Sequence, residues 1–230
     1  MTLAQMKPSS SQPATLSERL LDQLQDAIVE GDIASGEKLR EPELAKRFGT
    51  SRGPLRDALR RLEARRLVTT TPNAGARVVA LSNEQLIELF EVREGLEGMT
   101  ARLAATSMTD QQLEDLEELL MLHAREVGRK KGREYFRQHG DLDFHFRIAD
   151  ACGNELLRHA VCVDHYQLMR MYRFKHSARK GRPHRALREH RRILEALQDR
   201  DGELAEILMR RHIRASRDAF ETQLHEEALG

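Results

Sequence analysis

The 230-residue chain has no tryptophan, only 4% aromatic residues, two cysteines and six prolines, and its formal net charge is +1. Each shortage removes something. Cys152 and Cys162 stand without a CxxC or metal-finger spacing, which leaves two reduced core thiols. No apolar run approaches the ~18 residues of a membrane span. The N-terminus carries Lys7 but no hydrophobic signal core, so the expected compartment is the cytoplasm, with no membrane partner. What is abundant, 40% hydrophobic and 33% charged residues, is the composition of a soluble, globular, helical protein with room for two modest domains.

The small net charge is unevenly spread. Residues 1–80 hold 13 Lys/Arg against 10 Asp/Glu, and residues 81–230 hold 25 against 27. A mildly basic first third and a near-neutral remainder fit a DNA module joined to a part that does not bind DNA.

The stretch from Leu39 to Val79 carries the most information. Two short helical patterns meet at Phe48-Gly49-Thr50-Ser51, and the second runs into alternating β-type residues broken by Pro72-Asn73-Ala74-Gly75. Helix, tight turn, helix and hairpin in that order predict a winged helix-turn-helix. Gly49 is the expected left-handed end of the first helix and Ser51 the hydroxyl cap of the second, where Pro54 is tolerated. Leu55, Leu59 and Leu62 recur at inward spacing, while Arg52, Arg56 and Arg60 recur every four residues on a neighbouring flank. Guanidinium forks in a row suit a helix lying in a DNA major groove. The bland alternative is a solvated basic face.

These residues resemble the GntR-type bacterial transcription regulators. The likeness rests on Glu41-Pro-Glu-Leu-Ala45, Ser51-Arg52-Gly-Pro-Leu-Arg56-Asp-Ala-Leu59, Arg61-Leu62-Glu63 and Pro72-Asn73-Ala-Gly75. It implies that Ser51, Arg52 and Arg56 contact double-stranded DNA and that the wing tip, Asn73 to Gly75, approaches the minor groove. A homodimer on an inverted-repeat operator is the expected assembly. Two residues depart from the pattern: Pro42 replaces a DNA-contacting arginine of some relatives, and Arg66 replaces the glycine that usually ends the recognition helix.

Along the rest of the chain, residues 1–14, rich in Ser and Pro, read as a flexible tail, and residues 15–81 as the winged module. Leu16, Leu20, Leu24, Ala27 and Ile28 mark a first helix that stops at Gly31; Ile33 to Leu39 is a connector, and Val68 to Thr71 with Ala76 to Ala80 form the wing. Residues 82–230 form the second domain. Capping boxes at Ser82-x-x-Gln85 and Thr109-x-x-Gln112 start long helical runs. Helices are predicted near 82–106, 110–130, 132–151, 154–179, 184–200 and 203–226, an antiparallel all-α bundle without strand signal. Within the same resemblance it is similar to the helical effector domain called FCD.

Several bundle residues are polar where the periodicity asks for apolar ones. Asp141 and His145 share a stripe with Ile148 and Cys152; His190 lies in register with Leu187, Ile193, Leu194 and Leu197; His212 sits on the stripe Leu204, Leu208, Ala215, Ala219. Three histidines and a carboxylate converging from three helices suggest a divalent metal. The FCD resemblance implies the same, since its metal-binding branch carries Asp-x-x-Phe-His and two later histidines, matched here by Asp141, Phe144, His145, His190 and His212. Zinc is the expected ion, with nickel and manganese as alternatives. A hydrogen-bonded core cluster or an anion pocket are the competing readings.

Such a ligand set leaves positions that an organic carboxylate could fill. Arg93 is the expected second anchor, because Val92-Arg93-x-x-Leu96-Glu97 resembles the segment lining the family's effector cavity; the alternative is a surface arginine paired with Glu97. His139 with Asp143 forms a competing register without apolar company, and His123, His159, His165, His176 and His184 read as surface residues. The leading expectation is a carboxylate-controlled regulator, a repressor released from DNA by a citrate-like metabolite. A metal-dependent enzyme built on the bundle is the alternative, but it needs a placed general base that the sequence does not offer.

Overall fold

The computed structural model describes residues 15–129, 140–176 and 182–229. Helix α1 (Leu16–Val29) opens on a capping box, in which the Glu18 amide donates to the Thr15 hydroxyl and the Thr15 amide donates to the Glu18 carboxylate. Strand β1 (Lys38–Leu39) leads into α2 (Glu41–Arg47) and α3 (Arg52–Ala64), and a hairpin of β2 (Val68–Thr71) and β3 (Gly75–Val78) follows. The antiparallel sheet has the order β1-β3-β2, with Lys38 opposite Arg77 and Thr71 opposite Gly75. The sequence reads Ile33 to Leu39 as connector, yet its end pairs as β1; two residues of pairing are too few for an alternating pattern to register.

The α2–α3 turn is closed by Gly49 at φ 60°, with the Thr50 amide donating to the Ala45 carbonyl at 3.0 Å and the Gly49 amide to Lys46 at 3.4 Å. Helix α3 ends in the same geometry without a glycine. Arg66 takes φ 57°, and the amides of Leu67 and Arg66 donate to Leu62 and Glu63 at 3.0 and 2.9 Å. The left-handed arginine costs about 1–2 kcal/mol.

At the start of α3 the expectation for Ser51 needs correction. Ser51 is the N-cap residue by backbone conformation, but its hydroxyl makes no capping bond. The third helical residue is Pro54, which has no amide proton for it to accept. A cap contributes about 1 kcal/mol, whereas Leu55, Leu59 and Leu62, all buried, contribute about 1.5–3 kcal/mol each. Packing of α3 on α1 therefore fixes the helix.

The second region comprises α4 (Asn83–Ser107), α5 (Asp110–Arg129), α6 (Gly140–Asp150), α7 (Glu155–His159), a π-helical stretch (Ala160–His165), α8 (Tyr166–His176), α9 (Arg182–Gln198) and α10 (Gly202–Leu229). Both capping boxes form, at Ser82 with Gln85 and Thr109 with Gln112. The single helix expected over 154–179 is divided by the π-helical stretch, and Pro183 falls inside the first turn of α9, where proline is tolerated. The expected start of the third bundle helix at 132 lies outside the described residues.

Helices α4 and α10 pack antiparallel along most of their length, tied by Arg214 to Glu94 and Arg102 to Glu206. The rings of Phe90, Tyr172 and Phe220 join α4, α8 and α10 with centroids 5.1–6.2 Å apart. Of the stripe expected on α10, Leu208 and His212 are buried, but Leu204 is 42% exposed, and Ala205, Met209, Ile213 and Phe220 complete the buried set. The apolar core runs unbroken from the winged module into the bundle, with α1 packed on α8.

Helix α10 starts hard against α4. A Cβ at Gly202 would lie 2.7 Å from the Arg102 carbonyl oxygen. Gly202→Ala should therefore destabilise the protein by about 1–3 kcal/mol through overpacking, read from urea unfolding. A wild-type unfolding midpoint would contradict the close approach.

Candidate metal centre and DNA-binding surface

His145 comes from α6, His190 from α9 and His212 from α10. All three are buried, and one ring nitrogen of each lies within 4.8 Å of the others. Each points inward for the same reason as its apolar neighbours: Ile148 and Ala149 share the inner side of α6, and Ile193, Leu194 and Leu197 share that of α9. The Phe144 ring stacks on His190 with centroids 4.2 Å apart, and His145 stacks on His212 at 5.0 Å. Asp141 lies in the first turn of α6, but its side chain, like that of Asp143 and the whole of His139, is outside the described residues.

Two carboxylates orient the rings. On α9, Glu189 accepts from Nδ1 of His212 at 2.7 Å, from Arg182 at 2.7 Å and from Arg185 at 2.8 Å. On α4, Glu97 has Oε2 2.6 Å from Nδ1 of His145 and also accepts from Arg93. Burial pushes the Glu189 carboxyl up, but His212 and Arg182 outweigh it and hold it at about 2. At Glu97, too, burial is outweighed by Arg93 and His145, which keep the group well below the usual carboxylate range. The geometry assigns the Nδ1 proton of His212 to Glu189 and turns its Nε2 lone pair toward the other rings, while Nδ1 of His145 lies within ion-pair distance of Glu97.

The donor set fits a divalent metal. The Nε2 atoms of His190 and His212 are 3.2 Å apart. Two nitrogens bound at about 2.0–2.1 Å to one tetrahedral ion lie about 3.3 Å apart. Beside the cluster is a cavity of about 20 Å³ whose lining includes Arg93, Glu97, His145, His165 and Tyr166. That is room for about one water.

Of the alternative reading of Arg93, the pairing with Glu97 is present but the surface position is not. The side chain is buried, and its Nη1 has no hydrogen-bond partner among the described residues. Two histidines assigned to the surface also need correction. His123 is only 4% exposed, in the inward face of α5, and His165 is half-buried, with Nδ1 2.7 Å from the Ala160 carbonyl in the π-helical stretch. His159 and His184 are exposed, and the side chain of His176 is not among those described. Sequence reasoning missed both orienting carboxylates. Glu97, four residues after a core-facing arginine, had a helical signal; Glu189, between Arg188 and His190 in a strongly charged helix, had none.

On the winged module, Arg52, Arg56 and Arg60 line an exposed side of α3, and Ser51 is exposed at its start. Asn73 at φ 63° and Gly75 at φ 84° are exposed at the tip of the hairpin. Nε of Arg56 donates to both oxygens of Glu41 on α2, at 2.9 and 3.1 Å. One end of that guanidinium is thereby anchored, and its two terminal nitrogens are left for a planar acceptor pair.

Comparison with known proteins finds relatives for both regions of the chain. The family model described as bacterial regulatory proteins, gntR family, matches residues 16–78, and the FCD domain model matches residues 88–215. The HTH-type transcriptional repressor GlaR of Escherichia coli is 31% identical over 198 residues, 83% of this chain and 89% of that protein. The Nta operon transcriptional regulator of Aminobacter aminovorans is 38% identical over 126 residues, 55% of this chain and 59% of that protein. The solved structure of E. coli McbR/YncC has the same fold, with a TM-score of 0.75 at 21% identity, covering 92% of this chain and all of that one.

The orienting role of Glu189 is testable. Glu189→Gln should weaken zinc or nickel binding by about 10–100-fold in a competitive chelator titration, with helix content unchanged. Wild-type affinity in that variant would contradict the proton assignment at His212.

Proposed function

The chain belongs to the GntR family of bacterial transcription regulators, with an FCD effector domain, and from that premise we propose that it is a repressor whose operator affinity is set by a citrate-like carboxylate held at a metal site in the bundle. Family membership makes it a regulator rather than an enzyme, and in this reading Glu97 and Glu189 serve to orient the ligating rings. The observation that carries the proposal is the convergence of three buried imidazoles from three helices next to buried Arg93.

In this reading His145, His190, His212 and Asp141 hold one divalent ion, zinc or alternatively nickel or manganese, which supplies a cation able to accept an organic anion. Arg93, fixed by Glu97, offers Nη1 to a second carboxylate of the same ligand. A dicarboxylate or tricarboxylate uses both anchors, whereas acetate uses one. The cavity beside Arg93 and His145 holds only about 20 Å³, so a carboxylate that reaches both anchors must part α4 from the π-helical stretch to enter. That displacement reaches the winged module through Leu81, the short link to α4, and through α8, which packs on α1. No described helix is long and apolar enough to cross a membrane, and the proposed place of action is the cytoplasm.

The DNA contacts are assigned to Ser51, Arg52, Arg56 and Arg60 in the major groove and to Asn73 and Gly75 at the wing. Two copies would read an inverted repeat. Support for a homodimer comes from the exposed apolar residues Val92, Met99, Leu204 and Ile207 on the outer sides of α4 and α10.

Two outcomes test the proposal. Arg56→Ala should cost about 1–3 kcal/mol of operator binding; an unchanged affinity in Arg52→Ala/Arg56→Ala contradicts the recognition-helix assignment. In metal-loaded protein, citrate should weaken operator binding by about 5–150-fold, and His190→Ala/His212→Ala should lose that response. If no carboxylate binds the wild type, or if binding survives loss of all four metal ligands, the effector assignment fails.

A further inference from the structure

A second cavity, of about 420 Å³, lies at the seam between the winged module and the bundle. Its walls include Ile28 and Val29 at the end of α1, Ala34, Leu86 on α4 and Tyr172 on α8, with Glu30 at the margin. Its volume is in the range of small-molecule sites, about 300–1,000 Å³, which favour domain interfaces and mostly apolar walls. Water gains little from such walls, and an apolar body gains from leaving water.

The charge of the seam narrows the class of occupant. One wall is the last turn of α1, the end of a helix that carries partial negative charge. Glu30 is its C-cap residue, and no basic residue sits in that last turn. At this wall an anion is disfavoured, while a neutral hydrogen-bond donor or an ammonium group is favoured. This is the reverse of the preference proposed for the histidine centre.

Position gives the seam a consequence. Helix α8 presents Tyr166 and Met169 to the cavity beside Arg93 and His145, and Tyr172 to the seam. It packs on α1, and α1 packs on recognition helix α3. A molecule wedged between α1 and α8 therefore bears on the same helix as a ligand in the bundle and lies one element from the DNA-reading face.

We infer that the domain seam is a second effector site, distinct from the histidine centre, for a neutral or cationic molecule with an apolar ring body and a hydrogen-bond donor, and that its occupancy shifts operator affinity. The site does not depend on the metal or on a carboxylate.

The test uses two fluorescent probes that differ by one sulfonate: neutral N-phenyl-1-naphthylamine and anionic 1-anilinonaphthalene-8-sulfonate, titrated into the full chain. The neutral probe should bind one per chain and roughly fivefold or more tighter than the sulfonate. Ala34→Trp, which fills the cavity, should abolish its binding, and Glu30→Lys, at an exposed position, should reverse the preference between the probes. The neutral probe at saturation should change operator affinity by about fivefold or more, and His190→Ala/His212→Ala should leave its binding intact. Equal binding of both probes in wild type and Glu30→Lys, retention of the neutral probe in Ala34→Trp, or an operator affinity indifferent to it would each overturn the inference. Should Ala34→Trp not fold, the reversal in Glu30→Lys decides, since that side chain supports no packing.

Discussion

Three imidazoles buried at the centre of an apolar bundle have to be satisfied there, and the arrangement around them follows from that requirement. A buried polar group without a partner costs about 1–3 kcal/mol, so three unpartnered rings would consume much of the stability of an ordinary domain. The helices answer by bringing Glu97 to His145 and Glu189 to His212. Those carboxylates would themselves be costly if buried alone, and each is held ionised by an arginine, Arg93 or Arg182, as well as by its histidine. The result is a shell of opposed charges with nitrogen lone pairs at its centre. The proposed divalent cation would complete such a shell better than a single shared proton, because all three rings would bind it at once.

The same constraint links the bundle to the DNA module. The three histidines sit on α6, α9 and α10 and the carboxylates beside them on α4 and α9, so the centre draws together four helices of the second region. Helix α4 leads directly back to the wing through Leu81, and α8 rests on α1, whose buried Leu21, Leu24 and Ile28 back the recognition helix. With a continuous core and no flexible tether, a shift of either helix has few places to be absorbed. Coupling between sites then needs only two packings of comparable free energy, each preferred by one ligand.

How much of this was legible in the sequence depended on how far each feature was periodic or local. The winged module was readable because turn chemistry and apolar spacing agree: Gly49 closes one turn, Leu55, Leu59 and Leu62 face the core, and Pro72 to Gly75 break the hairpin. The inward direction of His145, His190 and His212 was readable for the same reason, since each shares a register with aliphatic neighbours. The bond missing at Ser51 required counting to Pro54 as the third helical residue. Strand β1 was too short for a period, and the π-helical stretch at 160–165 is invisible to a 3.6-residue template. The exposed Leu204 on α10 reflects a long helix with apolar residues on more than one side. Glu97 and Glu189 were hardest, because a carboxylate in a charged helix looks solvated until the partner helices are in place.

The central claim is that three histidines from three helices hold one divalent ion. X-ray absorption at the zinc edge of the reconstituted protein tests it most directly. The account predicts one ion per chain with three imidazole nitrogens and otherwise oxygen in its first coordination sphere, reduced to one imidazole in His190→Ala/His212→Ala. A sphere of oxygen alone, one containing sulfur from Cys152 or Cys162, or one unchanged in that variant would contradict it.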